Sequence, residues 1–235
     1  MHALRWPAAG GAPRGAAVVL VHGLCSARYF ARAAPLLRGL GEVWVPDLPG
    51  FGRSPRAGGR PSVPALAAAL GAWMDEAGLR DAVVVANSFG CQVAAGLLAR
   101  RPELARRVVL TGPTFAPEVR RVARLLARFL VDAARQPAWQ LGAHARDVLD
   151  AGPRHLLAAL AEGLDHPLER DAAALPMPVL VARGSRDATA PARWVAALAA
   201  AAPRGAEWTC PGGAHAVHVT HPRALAGRVA AFAAG

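Results

Sequence analysis

The segment 86–91, "ANSFGC", sets a serine after the apolar run "AVVVA" (82–86) and before "QVAAGLLAR". A serine that attacks an acyl carbon needs an exposed hydroxyl, a base to take its proton, and donors to hold the developing oxyanion. A sharp strand-to-helix turn meets the first need, and its strained backbone demands small residues two before and two after. Ala86 and Gly90 provide these around Ser88, although the G-x-S-x-G pattern has glycine where this chain has Ala86. The helix that follows would aim its N-terminal amides at the site and favour negative charge there. Taken alone the pattern leaves two readings open, because serine is also a common residue at a helix start.

Partners for such a serine lie far along the chain. "GGAHAVHVTHP" (212–222) offers three bases, His215, His218 and His221. "GSRDATAP" (184–191) offers Asp187 just after the apolar run "PVLVARG", where a helix beginning near Pro191 gives it the rival role of a cap. Asp171 and Glu118 are other carboxylates without a strand-end setting, and His22, before Gly23 at a strand end, reads as a hydrogen-bonding structural residue. Cys210 with the three histidines has the ligand types of a zinc site. Their H-x-x-H-x-x-H spacing does not put all three on one helical face, so no metal is expected.

The elements that must carry these residues follow from the hydrophobic pattern. Apolar runs at "AAVVLV" (16–21), "EVWVP" (42–46), "AVVVA" (82–86), "RVVLTG" (107–112), "PVLVARG" (178–184) and the weaker "EWTC" (207–210) predict strands. Being apolar throughout, and separated by helical stretches such as "ARYFARAAPLLRGL" and "SVPALAAALGAWMDEAG" (62–78), they suggest a mostly parallel sheet buried on both faces. Right-handed βαβ connections follow from chirality. Between residues 112 and 175 the rhythm breaks, with no strand-like run. "PEVRRVARLLARFLVDAARQ" places Val119, Val122, Leu125, Leu126, Phe129 and Leu130 on one helical face, and Arg120, Arg121, Arg124 and Arg128 mainly on the other. "GAHARDVLDAG" and "GPRHLLAALAEGLD" read as further short helices. The segment reads as a helical cap over a sheet edge, with its apolar face closing on the core and its arginines in solvent; a basic helix lying on a membrane surface is the lesser reading. The expected division is a core of 1–114 and 175–235 with a cap of 115–174.

In order along the chain stand "VLVHGLCS" (19–26), "PDLPGFGRS" (46–54), "ANSFGC", "GSRDATAP" and "GGAHAVHVTHP". This series closely resembles the α/β-hydrolase superfamily, from about Ala16 to the C-terminus, with the acid and the histidine following the serine in that family's order. The resemblance implies an α/β-hydrolase fold with a small helical cap and a triad. Ser88 would be the nucleophile, His215 the base, and Asp187 the carboxylate orienting the imidazole. It also implies an oxyanion hole from the amides of Phe89 and Leu24, braced by the loop of Asp47 and Arg53. Serine at position 88 sets the chain apart from the branches with an aspartate nucleophile. Esters, thioesters and lactones suit a serine triad, as do carbon–carbon bonds beside a carbonyl. "NSFG" is similar to the elbow of meta-cleavage-product hydrolases, but "HGLCSARYF" lacks their Gly/Ser/Pro-rich loop. Hydrolysis of a small carboxylic ester is therefore the leading reading, C–C hydrolysis the alternative, and a non-catalytic binding member of the fold a third.

The composition narrows the setting. A chain of 235 residues suits one well-buried domain, and its three cysteines, Cys25, Cys91 and Cys210, cannot complete a disulfide framework, which points to a reducing cytoplasm. No apolar run nears the roughly 20 residues of a membrane span, and the first residues carry no secretory signal. The net charge of +11 comes entirely from scattered arginines without a basic stripe interleaved with aromatics, so nucleic acid is not an expected partner. A small apolar acyl or aryl substrate is expected, with Cys25, Phe115, Phe129 and Trp139 as candidate lining and no cofactor. Only "LRWPAA" precedes the first strand run, so the sheet edge there looks open to a second copy of the chain.

Overall fold

The computed structural model describes residues 1–10, 15–56, 58–117 and 122–235. The six apolar runs form β2 (Val18–Val21), β3 (Val43–Pro46), β4 (Ala82–Asn87), β5 (Ala105–Thr111), β6 (Val179–Gly184) and β7 (Gly205–Cys210). A seventh strand, β1 (Ala3–Trp6), precedes them, giving the order β1-β3-β2-β4-β5-β6-β7. All neighbours are parallel except β1, which runs antiparallel to β3 with Ala3 opposite Pro46 and Trp6 opposite Val43. β2, β4 and β6 are buried at every position, as their unbroken apolar sequence requires, while β7 is exposed along most of its length at the sheet margin. The leader that looked too short to cover the sheet thus supplies a strand of its own, and β3 is not an edge.

Helices cover both faces. On one, α1 (Val63–Glu76) and α2 (Gly90–Leu98) pack together over β4, with Leu66, Leu70, Trp73 and Met74 as the buried stripe of α1. Ser62 caps α1 by accepting the Ala65 amide at 3.2 Å. α7 (Ala192–Ala201) flanks β6 and β7 on this face. On the other face α9 (Pro222–Ala234) contributes Leu225 and Val229 to a cluster with Phe30, Leu37 and Val85. The stretch "ARYFARAAPLLRGL" forms two single turns of 3-10 helix, Ala27–Phe30 and Ala34–Leu37, in place of one helix. Neither turn has a side-chain cap, and Pro35 is the second residue of the second, where it cannot donate to a preceding turn.

The strand-free stretch holds α3 (Val122–Ala133), α4 (Ala138–Ala151), α5 (Pro153–Asp165) and α6 (Leu168–Ala173). α6 packs against α2 and α7 at the flank of the sheet. α3 is amphipathic but turned from the expected face. Leu125 is fully buried and Phe129 half-buried, whereas Leu126 and Leu130 are 48% and 73% exposed. The stripe facing inward is Leu125, Phe129 and Asp132, with Arg128 beside it, because polar contacts described below fix the rotation of the helix. Val119, Arg120 and Arg121, together with Glu118, lie outside the described residues. Among the described residues no helix is long and apolar enough to cross a membrane.

Candidate active site

β4 ends at Asn87 and α2 begins at Gly90, so Ser88 sits in the two-residue turn between them. Its φ of +56° is a left-handed conformation that costs a non-glycine residue free energy of order 1 kcal/mol or more. Bonds to the end of β5 hold it there. The Ser88 amide donates to the Thr111 carbonyl at 3.0 Å, and Asn87 Nδ2 donates to the same oxygen at 3.1 Å. The amide of Asn87 is thereby committed to joining strands. Close packing closes the turn from beneath. A Cβ on Gly90 would lie 2.4 Å from the His22 carbonyl oxygen and 2.6 Å from that of Val21, so no side chain fits there. Ala86 is fully buried and its carbonyl accepts the Thr111 hydroxyl at 2.8 Å, so the methyl group at this position is accommodated.

Asp187 and His215 meet beyond the ends of β6 and β7. His215 Nδ1 lies 3.0 Å from Asp187 Oδ2 and 2.7 Å from the Thr189 hydroxyl. The second carboxylate oxygen, Oδ1, accepts the Thr189 and Ala190 amides at 2.8 and 3.0 Å and the Thr189 hydroxyl at 2.8 Å. Burial of the carboxyl favours its neutral form, but the His215 charge and hydrogen bond, with the Ala190 and Thr189 donors, outweigh it and hold Asp187 below the usual range. Burial likewise lowers the affinity of His215 for a proton, yet the charge and hydrogen bond of Asp187, with the charge of Asp132, raise it above its ordinary value. Gly112, at the end of β5 with φ of +54°, leaves room for the pair: a Cβ there would lie 2.9 Å from His215 Nδ1 and 3.1 Å from Asp187 Oδ2.

The Ser88 hydroxyl is 2.8 Å from the hydroxyl of Thr114, which also lies 3.3 Å from the Gly112 carbonyl. Among the described residues it makes no hydrogen bond to His215. The acid and base are thus joined, while the serine rests on Thr114. Its other surroundings are ordered by His22 and Asp47. His22 Nε2 accepts the Leu48 amide at 2.9 Å, so Nδ1 carries the proton and donates to the Gly23 carbonyl at 2.7 Å. Burial lowers its pKa and keeps the ring neutral. Asp47 accepts the Ala27 amide at 2.7 Å and the Arg53 amide at 3.0 Å, tying the loop after β2 to the loop after β3. Leu24 and Phe89 stand on this frame. Among the described residues neither of their amides has a protein acceptor.

The other candidates are dispersed. The Phe129 ring stands edge-on to His215, with 6.2 Å between centroids, and Phe115 is buried edge-on to Phe89. Cys25 is buried, and its thiol is pushed up first by burial and then by the charge of Asp147. Trp139 is 54% exposed and lies under the guanidinium of Arg32. His218 stacks on Phe30 at 4.3 Å and, among the described residues, has no hydrogen-bond partner on either nitrogen; burial pushes its pKa down to about 3. Asp171 is committed to His166 at 2.6 Å. Among the described residues no group of three or more His, Cys, Asp or Glu could hold a metal ion.

Residues that the motifs did not single out complete the site. Thr114 and Thr189 bond the serine, acid and base, and the "DAT" of the acid loop could have been read as a turn in which an aspartate binds amides just downstream. The cap contributes more. Arg128 and Arg135 of α3 and its C-terminal extension donate to the carbonyls of Ala188 and Arg186 at 3.0 and 2.6 Å, and Asp132 accepts the His215 amide at 3.0 Å. Arg128 is therefore engaged with the acid loop, contrary to its expected place among solvated arginines. No local signal marks these three residues, since their partners lie 51 to 83 positions away.

A model of the alpha/beta hydrolase family matches residues 18–228. Lipase LipV of Mycobacterium tuberculosis is 38% identical over 120 residues, a stretch covering 50% of this chain and 45% of the lipase. The chain therefore matches less than half the length of that curated relative. Among solved structures, a thermophilic esterase from Thermogutta terrifontis superposes with a TM-score of 0.81 at 22% identity, covering 98% of this chain and 92% of the esterase. A bromoperoxidase from Bacillus anthracis superposes with a TM-score of 0.82 at 18% identity, covering 99% and 95%. At these identities the two structures show the shared fold.

Proposed function

The chain belongs to the alpha/beta hydrolase family, and from that premise we propose that it is a serine hydrolase that cleaves a small carboxylic ester through an acyl-enzyme. The observation that carries the reading is the pairing of Asp187 with His215 at 3.0 Å, at the same end of the sheet as a serine held at positive φ. The esterase and lipase relatives lend it support.

In this reading the Ser88 hydroxyl swings from Thr114 and attacks the acyl carbon while His215 Nε2 takes its proton. Asp187 keeps the other ring proton on Nδ1 and stabilises the imidazolium. The carbonyl oxygen, now an anion, accepts from the amides of Leu24 and Phe89, which need no reorientation because the His22 and Asp47 bonds fix the first loop and the elbow fixes the second. Collapse expels the alcohol, protonated by His215, and leaves the acyl group on Ser88. Water then gives a proton to His215 and attacks the ester carbon, releasing the acid and returning the proton to Ser88.

Phe129, edge-on to His215, provides apolar surface for the acyl or aryl part of the substrate, while Phe115 is buried against Phe89. The test is a panel of p-nitrophenyl esters from acetate to octanoate, with Ser88→Ala as the control. Turnover that falls by about 10³-fold or more in Ser88→Ala supports the reading. Turnover that survives the substitution, or none above buffer for any ester, counts against it.

A further inference from the structure

Asp132 is a carboxylate of α3 bonded to the loop that carries His215. It projects from α3, is 4% exposed, and accepts the His215 amide on Oδ1 at 3.0 Å and Gln136 Nε2 on Oδ2 at 2.8 Å. Its neighbours on the same face, Arg128 and Arg135, hold the carbonyls of Ala188 and Arg186 on either side of Asp187. Arg128 and Asp132 are one turn apart on α3 and Arg135 follows just past its end, so this end of α3 grips the acid loop and the base loop together. A buried amide left without its acceptor is costly, which makes the Asp132 bond a condition for this conformation of the His215 loop.

Resting on the triad reading above, we propose that Asp132 is a positioning residue for His215: it anchors the histidine backbone to the cap and sets a second buried carboxylate near the imidazole.

Other groups around the ring act differently. Asp187 and Thr189 bond Nδ1, the Phe129 ring packs edge-on, and the Gly112 backbone lies against Nδ1. Burial and then the charge of His215 lower the pKa of His218 of α8 (Val217–Thr220), while that of His144 of α4 is lowered by burial against the opposing charge of Asp147, with His215 adding to the lowering. Asp187 thus supplies the main anionic field at the imidazole and Asp132 adds to it. The addition favours the imidazolium, the state that follows proton transfer from Ser88. It also ties the cap to catalysis, because displacing α3 would remove both the amide acceptor and the charge.

The charge and the hydrogen bond can be separated. Asp132→Asn keeps an oxygen for the His215 amide, and its new NH₂ can meet Gln136 Oε1, which is buried and has no partner among the described residues. Asp132→Ala removes both. The test measures the rate of fluorophosphonate labelling at Ser88 against pH in the full-length protein, and the titration of the His215 ring by proton NMR. In both variants the midpoint for His215 should move to lower pH by roughly half to one pH unit, as expected for losing one nearby charge at an effective dielectric of about 20 to 40. At the alkaline plateau Asp132→Asn should label within about 3-fold of wild type, and Asp132→Ala at least about 10-fold more slowly. A His215 midpoint that stays in place in Asp132→Asn, or a plateau in Asp132→Asn as low as in Asp132→Ala, overturns the proposal. Should Asp132→Ala fail to fold, the midpoint in Asp132→Asn decides alone. A wild-type protein that does not label at Ser88 would defeat the hydrolase reading instead, and the ring titration would still judge the role of Asp132.

Discussion

The turn that carries Ser88 and the loops that carry Asp187 and His215 are held by different forces. At the turn the restraint is backbone against backbone: Gly90 lies against the carbonyls of Val21 and His22, and the Ser88 amide bonds Thr111 on the adjoining strand. At the acid and base loops the outer restraint comes from side chains of a remote helix, with Asp132 reaching His215 across 83 residues of sequence. The backbone of the serine is therefore fixed by the strands beneath it, whereas the base takes its position partly from a side chain of α3. Core packing resists change in steps of whole atoms, while a side-chain clamp can be released one bond at a time.

Substitutions on the two sides should separate these cases, and the largest effect falls on the acid. Asp187→Asn keeps the shape of the acid loop but favours the wrong imidazole tautomer, so ester turnover should fall by about 10³- to 10⁴-fold with little change in the circular dichroism spectrum. Gly90→Ala attacks the elbow itself. Its methyl group cannot avoid two backbone carbonyls, and urea denaturation should show a loss of about 2–4 kcal/mol. If this variant unfolds at the wild-type midpoint, the elbow is not held as described.

Arg128→Ala combined with Arg135→Ala loosens the clamp from the cap side. Turnover should drop by about 10-fold while stability falls by only about 1–2 kcal/mol, the reverse of the Gly90 pattern. Stability lost without any change in turnover would mean that the cap does not position the acid loop.

The raised pKa of His215 gives a further contrast, between activity and stability. Turnover needs the neutral imidazole, so it should rise with pH through a midpoint above the ordinary value of 6.5. A histidine whose pKa is raised by folding stabilises the fold fully below its unfolded pKa, and that contribution fades as pH climbs through the folded one. Asp187, whose pKa is lowered from 3.8, adds stability above that value and loses it as pH falls further. Activity against pH and thermal midpoint against pH should therefore slope in opposite directions above about pH 6.5. The smallest effect is expected at Leu130, on the outer face of α3. Leu130→Gln should change stability by less than about 0.5 kcal/mol, since the side chain is 73% exposed.

The same division explains how much could be read from the sequence. The runs of β2, β4 and β6 became strands because burial on both faces leaves no polar alternation to confuse the pattern, whereas β7, exposed along most of its length, gave only the weaker run "EWTC". The elbow was legible because its requirements fall within five residues, and Ala86 and Gly90 meet them locally. β1 was missed because "ALRW" is short and half exposed, and gains its identity only by pairing with β3. The two 3-10 turns at 27–37 departed from a helical pattern that Pro35 interrupts. The face of α3 was assigned from its apolar residues, but Asp132, Arg128 and Arg135 set its rotation through bonds to loops that no spacing rule could pair with them. The helical character of α3 could thus be recognised, while its hold on the base could not. Trp139, named with Phe115 and Phe129 as apolar lining, is 54% exposed beside Arg32, because residue type alone does not fix which side of a helix faces inward.

The most direct test is to map the site of covalent labelling. The protein is treated with a fluorophosphonate at neutral pH, digested, and the modified residue located by mass spectrometry, with His215→Gln treated in parallel. The expected result is a single adduct on Ser88 that forms at least about 10²-fold more slowly in His215→Gln. An adduct on another residue, or one on Ser88 that forms as fast without the imidazole, would contradict the assignment of Ser88 as a nucleophile served by His215.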